Sequence, residues 1–131
     1  MIKDAPTKVV DDVGQEYEPT DVVGYMEETY PEMTSEFKQI QKDQYELFCR
    51  KQYDYGPQNI AVGTILKTPE DIKLSLLGIW FRMNDKIERM KTLLMRNGEN
   101  SVEGEPVTDS FSDVSNYGVM AQVVARGKWA K

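Results

Sequence analysis

The chain has 131 residues, one cysteine, no histidine and a formal net charge of −6. This length suffices for one domain with its own core, while the absence of histidine argues against a zinc site or a Ser–His–Asp triad. The lone cysteine cannot form an internal disulfide and no segment resembles a signal peptide, so we expect a cytoplasmic protein. No apolar run approaches the roughly 20 residues of a membrane span, so we expect no membrane partner.

Acidity is concentrated at the start of the chain. Residues 1–33 carry nine acidic and two basic side chains, whereas the remainder carries 13 acidic and 14 basic ones. Short valine pairs between glycine and proline predict an acidic, partly extended arm over 1–33, followed by a helical domain over 34–131. The nearly neutral body lacks the basic face that duplex nucleic acid requires, so we expect no duplex partner.

The first long helix is predicted to begin after Thr34, a favourable N-cap, and to end near Gln52. The Gly56-Pro57 pair then predicts a polar and aromatic loop over 53–60. Aromatic faces stack on nucleobases and amide groups read their edges. The alternative is a tyrosine-lined turn that only packs. The loop supplies four candidate nucleotide-binding residues: Tyr53, Asp54, Tyr55 and Asn59.

The second helix is predicted to start at Pro69 and to end at Asn97-Gly98, a pair suited to a left-handed cap. A second apolar side near its start indicates packing on both sides, and Trp80 is expected in the core or at an interface. Its main apolar stripe comprises Ile72, Leu76, Ile79, Met83, Ile87, Met90 and Leu94.

A polar loop over 96–108 precedes a third helix, which is predicted to be capped by Thr108 and to be followed by Gly127. Trp129 is expected to dock on the body or on another subunit. Three principal helices and no convincing strand outside the arm predict a compact, all-α bundle.

Four acids form two pairs at helical spacing. Asp85 and Glu88 are three residues apart and Asp109 and Asp113 are four apart, so each pair shares a helix face and repels. A divalent cation between the pairs would relieve this repulsion, and Mg²⁺ prefers carboxylate oxygens and usually accompanies phosphate. All four are therefore candidate Mg²⁺ ligands. The alternative is that they form ordinary surface ion pairs.

Basic and polar residues beside these acids are candidate ligands of a nucleotide. Arg82, Lys86 and Arg89 carry the cationic groups that phosphate oxygens bind. Asn116 and Tyr117 continue the acidic stripe of the third helix. In the alternative interpretation, the cations only neutralise the neighbouring acids.

From about Phe37 to Lys128 the chain resembles the phage-associated nucleotide modification associated domain 1 family. The resemblance rests on Tyr53-Asp54-Tyr55-Gly56-Pro57, on the Arg-x-Asn-Asp-Lys-x-x-Arg segment at 82–89, and on the Asp-rich start of the third helix with Asn116-Tyr117. It implies a role in phage nucleotide metabolism or base modification, in the host cytoplasm.

The chain is more distantly similar to the all-α nucleoside triphosphate pyrophosphohydrolases of the MazG and dimeric dUTPase group. In those proteins a Glu-x-x-Glu pair and a later Glu-x-x-Asp pair bind Mg²⁺ against the phosphates. The similarity implies catalytic, metal-binding roles for Asp85, Glu88 and Asp113. Ser110 stands where that group has its second-motif glutamate, and Asp109 lies one residue too early.

Three functions remain open from the sequence. The first is a Mg²⁺-dependent pyrophosphohydrolase that converts a nucleoside triphosphate to the monophosphate and pyrophosphate. The second is a nucleotide-binding protein without catalysis, such as a sequestering or accessory protein of a nucleotide or DNA-modification pathway. The third is a helical partner-binding protein. We expect a homo-oligomer, because three helices leave more apolar surface than one small bundle covers.

Overall fold

Five helices lie between Val22 and Ala125 in the computed structural model, which describes residues 9–10, 13–17, 21–97 and 99–131. The predicted all-α class is therefore confirmed. The chain divides into a first unit, residues 1–43, and a second unit, residues 44–131. No helix of the described residues is long and apolar enough to cross a membrane. The helices are α1 (Val22–Thr29), α2 (Pro31–Tyr55), α3 (Gln58–Ala61), α4 (Pro69–Met95) and α5 (Val107–Ala125).

The first unit contains a small antiparallel strand pair, β1 (Val9–Val10) and β2 (Glu16–Tyr17). Gly14 lies between them with a φ of +83°, a conformation that glycine adopts without steric cost. This pair is an extended part of the predicted acidic arm. The arm's remaining positions 1–8, 11–12 and 18–20 lie outside the described residues.

Helix α1 lies within the segment that the sequence predicts to be partly extended. Its N-cap is Asp21, whose Oδ1 accepts a hydrogen bond from the Gly24 backbone N–H at 3.0 Å. A Cβ at Gly24 would lie 2.3 Å from Asp21 Oδ2, so a side chain there would collide with the cap. Gly24 therefore leaves room for the cap that starts the helix.

Helix α2 is longer at both ends than the predicted first helix. It begins at Pro31 rather than after Thr34, and the Thr34 hydroxyl donates back to the carbonyl oxygen of Tyr30 at 3.0 Å instead of capping. It ends at Tyr55, where Gly56 adopts a φ of +74°. Tyr53, Asp54 and Tyr55 therefore form its last turn and not the predicted loop.

The second unit packs α4 and α5 around a small core that also includes α3 and the C-terminal Trp129. Trp129 is buried, and its indole Nε1–H donates to the carbonyl oxygen of Pro57 at 3.1 Å. The predicted docking of this residue on the body is thus confirmed. Its ring also meets Phe48 edge-on, with 6.0 Å between centroids. The buried core residues are Ile60, Ala61, Leu66, Ile79, Met120, Val124 and Trp129.

The predicted apolar stripe of α4 is most deeply buried at Ile79 and is more exposed towards the C-terminal end of the helix. Ile79 is buried at the centre of the core, but Ile87 and Leu94 are 37% and 54% exposed. At this end of α4 the side facing α5 carries Lys86 and Arg89, which bond to Asp113 and Ser110 of α5. Polar contacts therefore also hold α4 to α5 at this end, where Leu93 is buried and Met90 is half-buried.

Local signals at the ends of α4 and α5 are mostly confirmed. The Thr68 hydroxyl accepts from the Asp71 backbone N–H at 3.1 Å, which caps α4 directly before Pro69. Asn97 has a left-handed φ of +60°, while Gly98 lies outside the described residues. Gly127 follows α5 with a φ of +70°. Helix α5 begins at Val107 with Pro106 at the N-cap position, so the predicted cap at Thr108 is wrong.

Candidate functional site

A cavity of about 320 Å³ opens among α2, α3, α4 and α5 in the second unit. We call it the first cavity. Its walls combine aromatic rings, side-chain amides and two cations. A cavity of this size lies at the lower end of the range in which small-molecule sites fall. The lining residues are Phe48, Lys51, Gln52, Tyr55, Asn59, Arg82, Asp113, Asn116, Tyr117 and Met120.

The amides of the first cavity are held by a hydrogen-bond network. Gln52 Nε2 donates to the Asn59 side-chain oxygen at 2.6 Å and to the Gly56 carbonyl oxygen at 2.7 Å. Arg82 Nη2 donates to the Asn59 backbone carbonyl oxygen at 2.9 Å, and Asn116 Nδ2 donates to the Gln44 carbonyl oxygen at 3.2 Å. Asn59 is thus fixed from two sides, so the wall is formed before any ligand arrives.

A second cavity, of about 430 Å³, adjoins the first and is rich in charged groups. The Arg89 guanidinium is held in place because Nη1 donates to Ser110 Oγ at 2.6 Å and Nη2 donates to the Glu105 carbonyl oxygen. Ser110 is almost fully buried. The lining residues are Leu47, Lys51, Lys86, Arg89, Glu105, Asp109, Ser110, Ser112 and Asp113.

Two residues, Lys51 and Asp113, line both cavities and therefore form their common wall. Lys51 Nζ lies 3.3 Å from Asp113 Oδ1, and Lys86 Nζ lies 3.1 Å from Asp113 Oδ2. The Asp113 side chain is 20% exposed, against 51% for Lys51 and 37% for Lys86. A single carboxylate thus holds two ammonium groups from α2 and α4.

The structure brings most of the predicted site residues to these two cavities. The ones that line a cavity are Tyr55, Asn59, Arg82, Lys86, Arg89, Asp109, Asp113, Asn116 and Tyr117. The other four are exposed and line neither cavity: Tyr53, Asp54, Asp85 and Glu88. Tyr53 is the extreme case, with 89% of its surface exposed.

The four acids predicted to bind Mg²⁺ are not gathered into one cluster. Within the described part of the chain, no group of three or more histidine, cysteine, aspartate or glutamate side chains is placed to hold a metal ion. Asp109 and Asp113 line the second cavity, but Asp113 already pairs with two lysines, and Asp85 and Glu88 lie outside it. The donor set therefore does not fit a protein-held Mg²⁺ ion.

Four lining residues of the first cavity are absent from the sequence-based prediction: Phe48, Lys51, Gln52 and Met120. Three of them lie on α2 with Tyr55, at three- and four-residue spacing: Phe48, Lys51 and Gln52. This spacing places them on one helix face. That spacing is the signal that could have found them. Met120 continues the three- and four-residue spacing of Asn116 and Tyr117 on α5, so the same signal could have found it.

Comparison of the chain with protein-family models, with curated proteins and with solved structures finds no match in any of the three.

Proposed function

We propose that this protein binds a nucleotide, with the base in the first cavity and the phosphates in the second. The observation that carries the proposal is the adjacency of the two cavities across the Lys51–Asp113 pair. One cavity offers rings and amides, and the other offers basic side chains. The division matches the two chemically different halves of a nucleotide.

The first cavity has the groups that recognise a base. Tyr55 and Tyr117 supply aromatic faces, on which any base can stack. Asn59, Gln52 and Asn116 supply amide donors and acceptors, which are the groups that distinguish one base edge from another. Because Asn59 is fixed by Gln52 and Arg82, it presents a defined pattern rather than an adaptable one.

The second cavity has the groups that bind phosphate. Lys51, Lys86 and Arg89 are cationic, and the guanidinium of Arg89 is oriented by two hydrogen bonds. Asp109, Asp113 and Glu105 also line this cavity, so its formal charge is balanced. A phosphate must therefore compete with protein carboxylates for these cations, which predicts modest affinity and strong salt dependence.

Binding without catalysis is the form of this proposal that the geometry favours. A pyrophosphohydrolase of the predicted kind needs Asp85 and Glu88 beside the phosphates, but both are exposed and line neither cavity. Mg²⁺ as a cofactor stays a prediction from the acid spacing and is not part of this proposal. Sequestration or an accessory role in phage nucleotide metabolism accords with the sequence resemblance. That resemblance rests on the motifs alone, because no family model or curated protein matches the chain.

The test is a calorimetric titration with each ribo- and deoxynucleotide, with the matching nucleosides and with inorganic triphosphate. We expect nucleotides to bind more tightly than either part alone, and to bind in EDTA as well as in Mg²⁺. Assays of monophosphate and pyrophosphate release should show no turnover. Absence of nucleotide binding under all conditions would overturn the proposal.

A further inference from the structure

The outer side of α4 carries a continuous apolar stripe. Leu74, Leu77, Trp80 and Phe81 are 47%, 42%, 51% and 63% exposed. Their three- and four-residue spacing places them on one helix face. Exposed apolar stripes of this kind are rare on monomers and mark interaction surfaces.

One acidic and one basic residue lie at each end of this stripe. Glu70 and Lys73 precede it, and Glu88 and Lys91 follow it, all four being exposed. Consider a two-fold axis that crosses α4 between Trp80 and Phe81. Residues equally far from the axis then face each other in an antiparallel copy, so Glu70 lies opposite Lys91 and Lys73 lies opposite Glu88.

We propose that a second copy of this chain packs on this stripe, as an antiparallel α4–α4 pair with that two-fold axis. Such an interface is isologous, so each ion pair occurs twice. At a crossing angle of about 20° the helices stay in contact over the roughly 16 Å from the axis to the outer charges. Trp80 and Phe81 of both copies gather at the axis, where aromatic side chains contribute most to binding.

The charges specify the direction of the pair. In a parallel, in-register pair, Lys73 would face its own copy and so would Glu88, which places like charges together. In the antiparallel pair every one of the four charges meets its opposite. The surface therefore accepts a copy of itself in one orientation and disfavours the other.

The proposed dimer leaves the nucleotide-binding cavities open. Arg82, Lys86 and Arg89 point to the opposite side of α4, where they bond to Asn59, Asp113 and Ser110. The dimer and the nucleotide site are thus independent, and either proposal can fail alone. Glu88 pairs with Lys73 of the other copy in this arrangement instead of binding a metal.

The test is the mass in solution by sedimentation equilibrium, for the full chain and for charge-reversal variants. Wild type should have a mass of 30.2 kDa, twice the 15.1 kDa of one chain, at roughly 10–100 µM, a range in which dimers of micromolar affinity are populated. Lys73→Glu and Glu88→Lys should each weaken association at least tenfold. The double variant carrying both changes restores opposite charges and should regain most of the affinity.

Lys128→Glu is the matched control, because it makes the same charge change at an exposed position off α4 and should leave the mass unchanged. Asn84→Leu is a second check. Asn84 lies opposite Leu77 in the proposed pair, so replacing this polar side chain should tighten the dimer. A wild-type monomer throughout this range, or a double variant no better than the single ones, would overturn the proposal.

Discussion

Lys51 and Asp113 form an ion pair between α2 and α5, with 3.3 Å from Nζ to Oδ1. The other oxygen of the same carboxylate lies 3.1 Å from Lys86 Nζ. A carboxylate between two ammonium groups occupies the position that an anionic ligand would take. In the proposed phosphate site, Asp113 would compete with phosphate for these ammonium groups, which is the opposite of the role predicted for it as a metal ligand.

Replacing Asp113 by Asn should strengthen binding of inorganic triphosphate and of nucleotides. The substitution keeps the shape but removes the competing charge, and a partly exposed ion pair of this kind is worth about 1 kcal/mol, or roughly fivefold in affinity. Calorimetric titration in EDTA measures the effect directly. If Asp113→Asn instead abolishes a Mg²⁺-dependent component of binding, Asp113 is a metal ligand and the competition argument fails.

Asp85→Asn and Glu88→Gln should leave nucleotide affinity unchanged, with and without Mg²⁺. Both side chains are exposed and line neither cavity, so neither touches the proposed ligand. The same titrations serve as the measurement, and Asp113→Asn is the positive control. A loss confined to Mg²⁺-containing buffer in either variant would restore the metal assignment that the acid spacing predicts.

Tyr55→Ala should cost about 1–3 kcal/mol of nucleotide affinity, the usual value of one stacked base. Tyr53 provides a matched control two residues earlier on the same helix, since it is 89% exposed and lines neither cavity. Tyr53→Ala should have no effect on nucleotides, and neither variant should alter binding of inorganic triphosphate. Equal losses for triphosphate and nucleotide would show that Tyr55 only supports the fold.

The contrast between these tyrosines shows what the sequence could predict. The Gly56-Pro57 pair correctly indicates that a helix ends near the tyrosines. It does not indicate that both tyrosines still belong to α2. Two residues apart on a helix are about 200° apart around its axis, so only one of the pair can face a given cavity. If the segment were a loop, as the sequence predicts, both Tyr53 and Tyr55 could contact the same ligand.

The ends of a helix depend on neighbouring residues, whereas the assembly of the site depends on residues that are far apart in the sequence. The start of α4 follows from Thr68 and Pro69, which act on adjacent backbone, and is therefore predictable. The pairing of Lys51 with Asp113 joins residues that are 62 positions apart. No periodicity within one helix encodes such a contact, since it depends on how α2 and α5 pack. The predicted acid cluster fails to assemble for the same reason.

Ser75→Ala should destabilise the protein although it changes only one hydroxyl. Ser75 is 1% exposed, and its Oγ–H donates to the Ile60 carbonyl oxygen at 2.6 Å. Ile60 belongs to the four-residue helix α3, whose carbonyl groups lack intrahelical partners at its C-terminal end. Without the hydroxyl, a buried carbonyl loses its partner, at a cost of about 1–3 kcal/mol.

Thermal unfolding followed by circular dichroism measures this effect, and Tm should fall by about 4 °C for each kcal/mol in a domain of this size. Ser35→Ala is the control, because Ser35 is exposed on α2 and alanine favours helix there. Its Tm should stay the same or rise slightly. A Ser75→Ala protein as stable as the control would mean that α3 is not held on α4 by this hydrogen bond, and that the Asn59 wall of the first cavity, which α3 carries, is fixed by Gln52 and Arg82 alone.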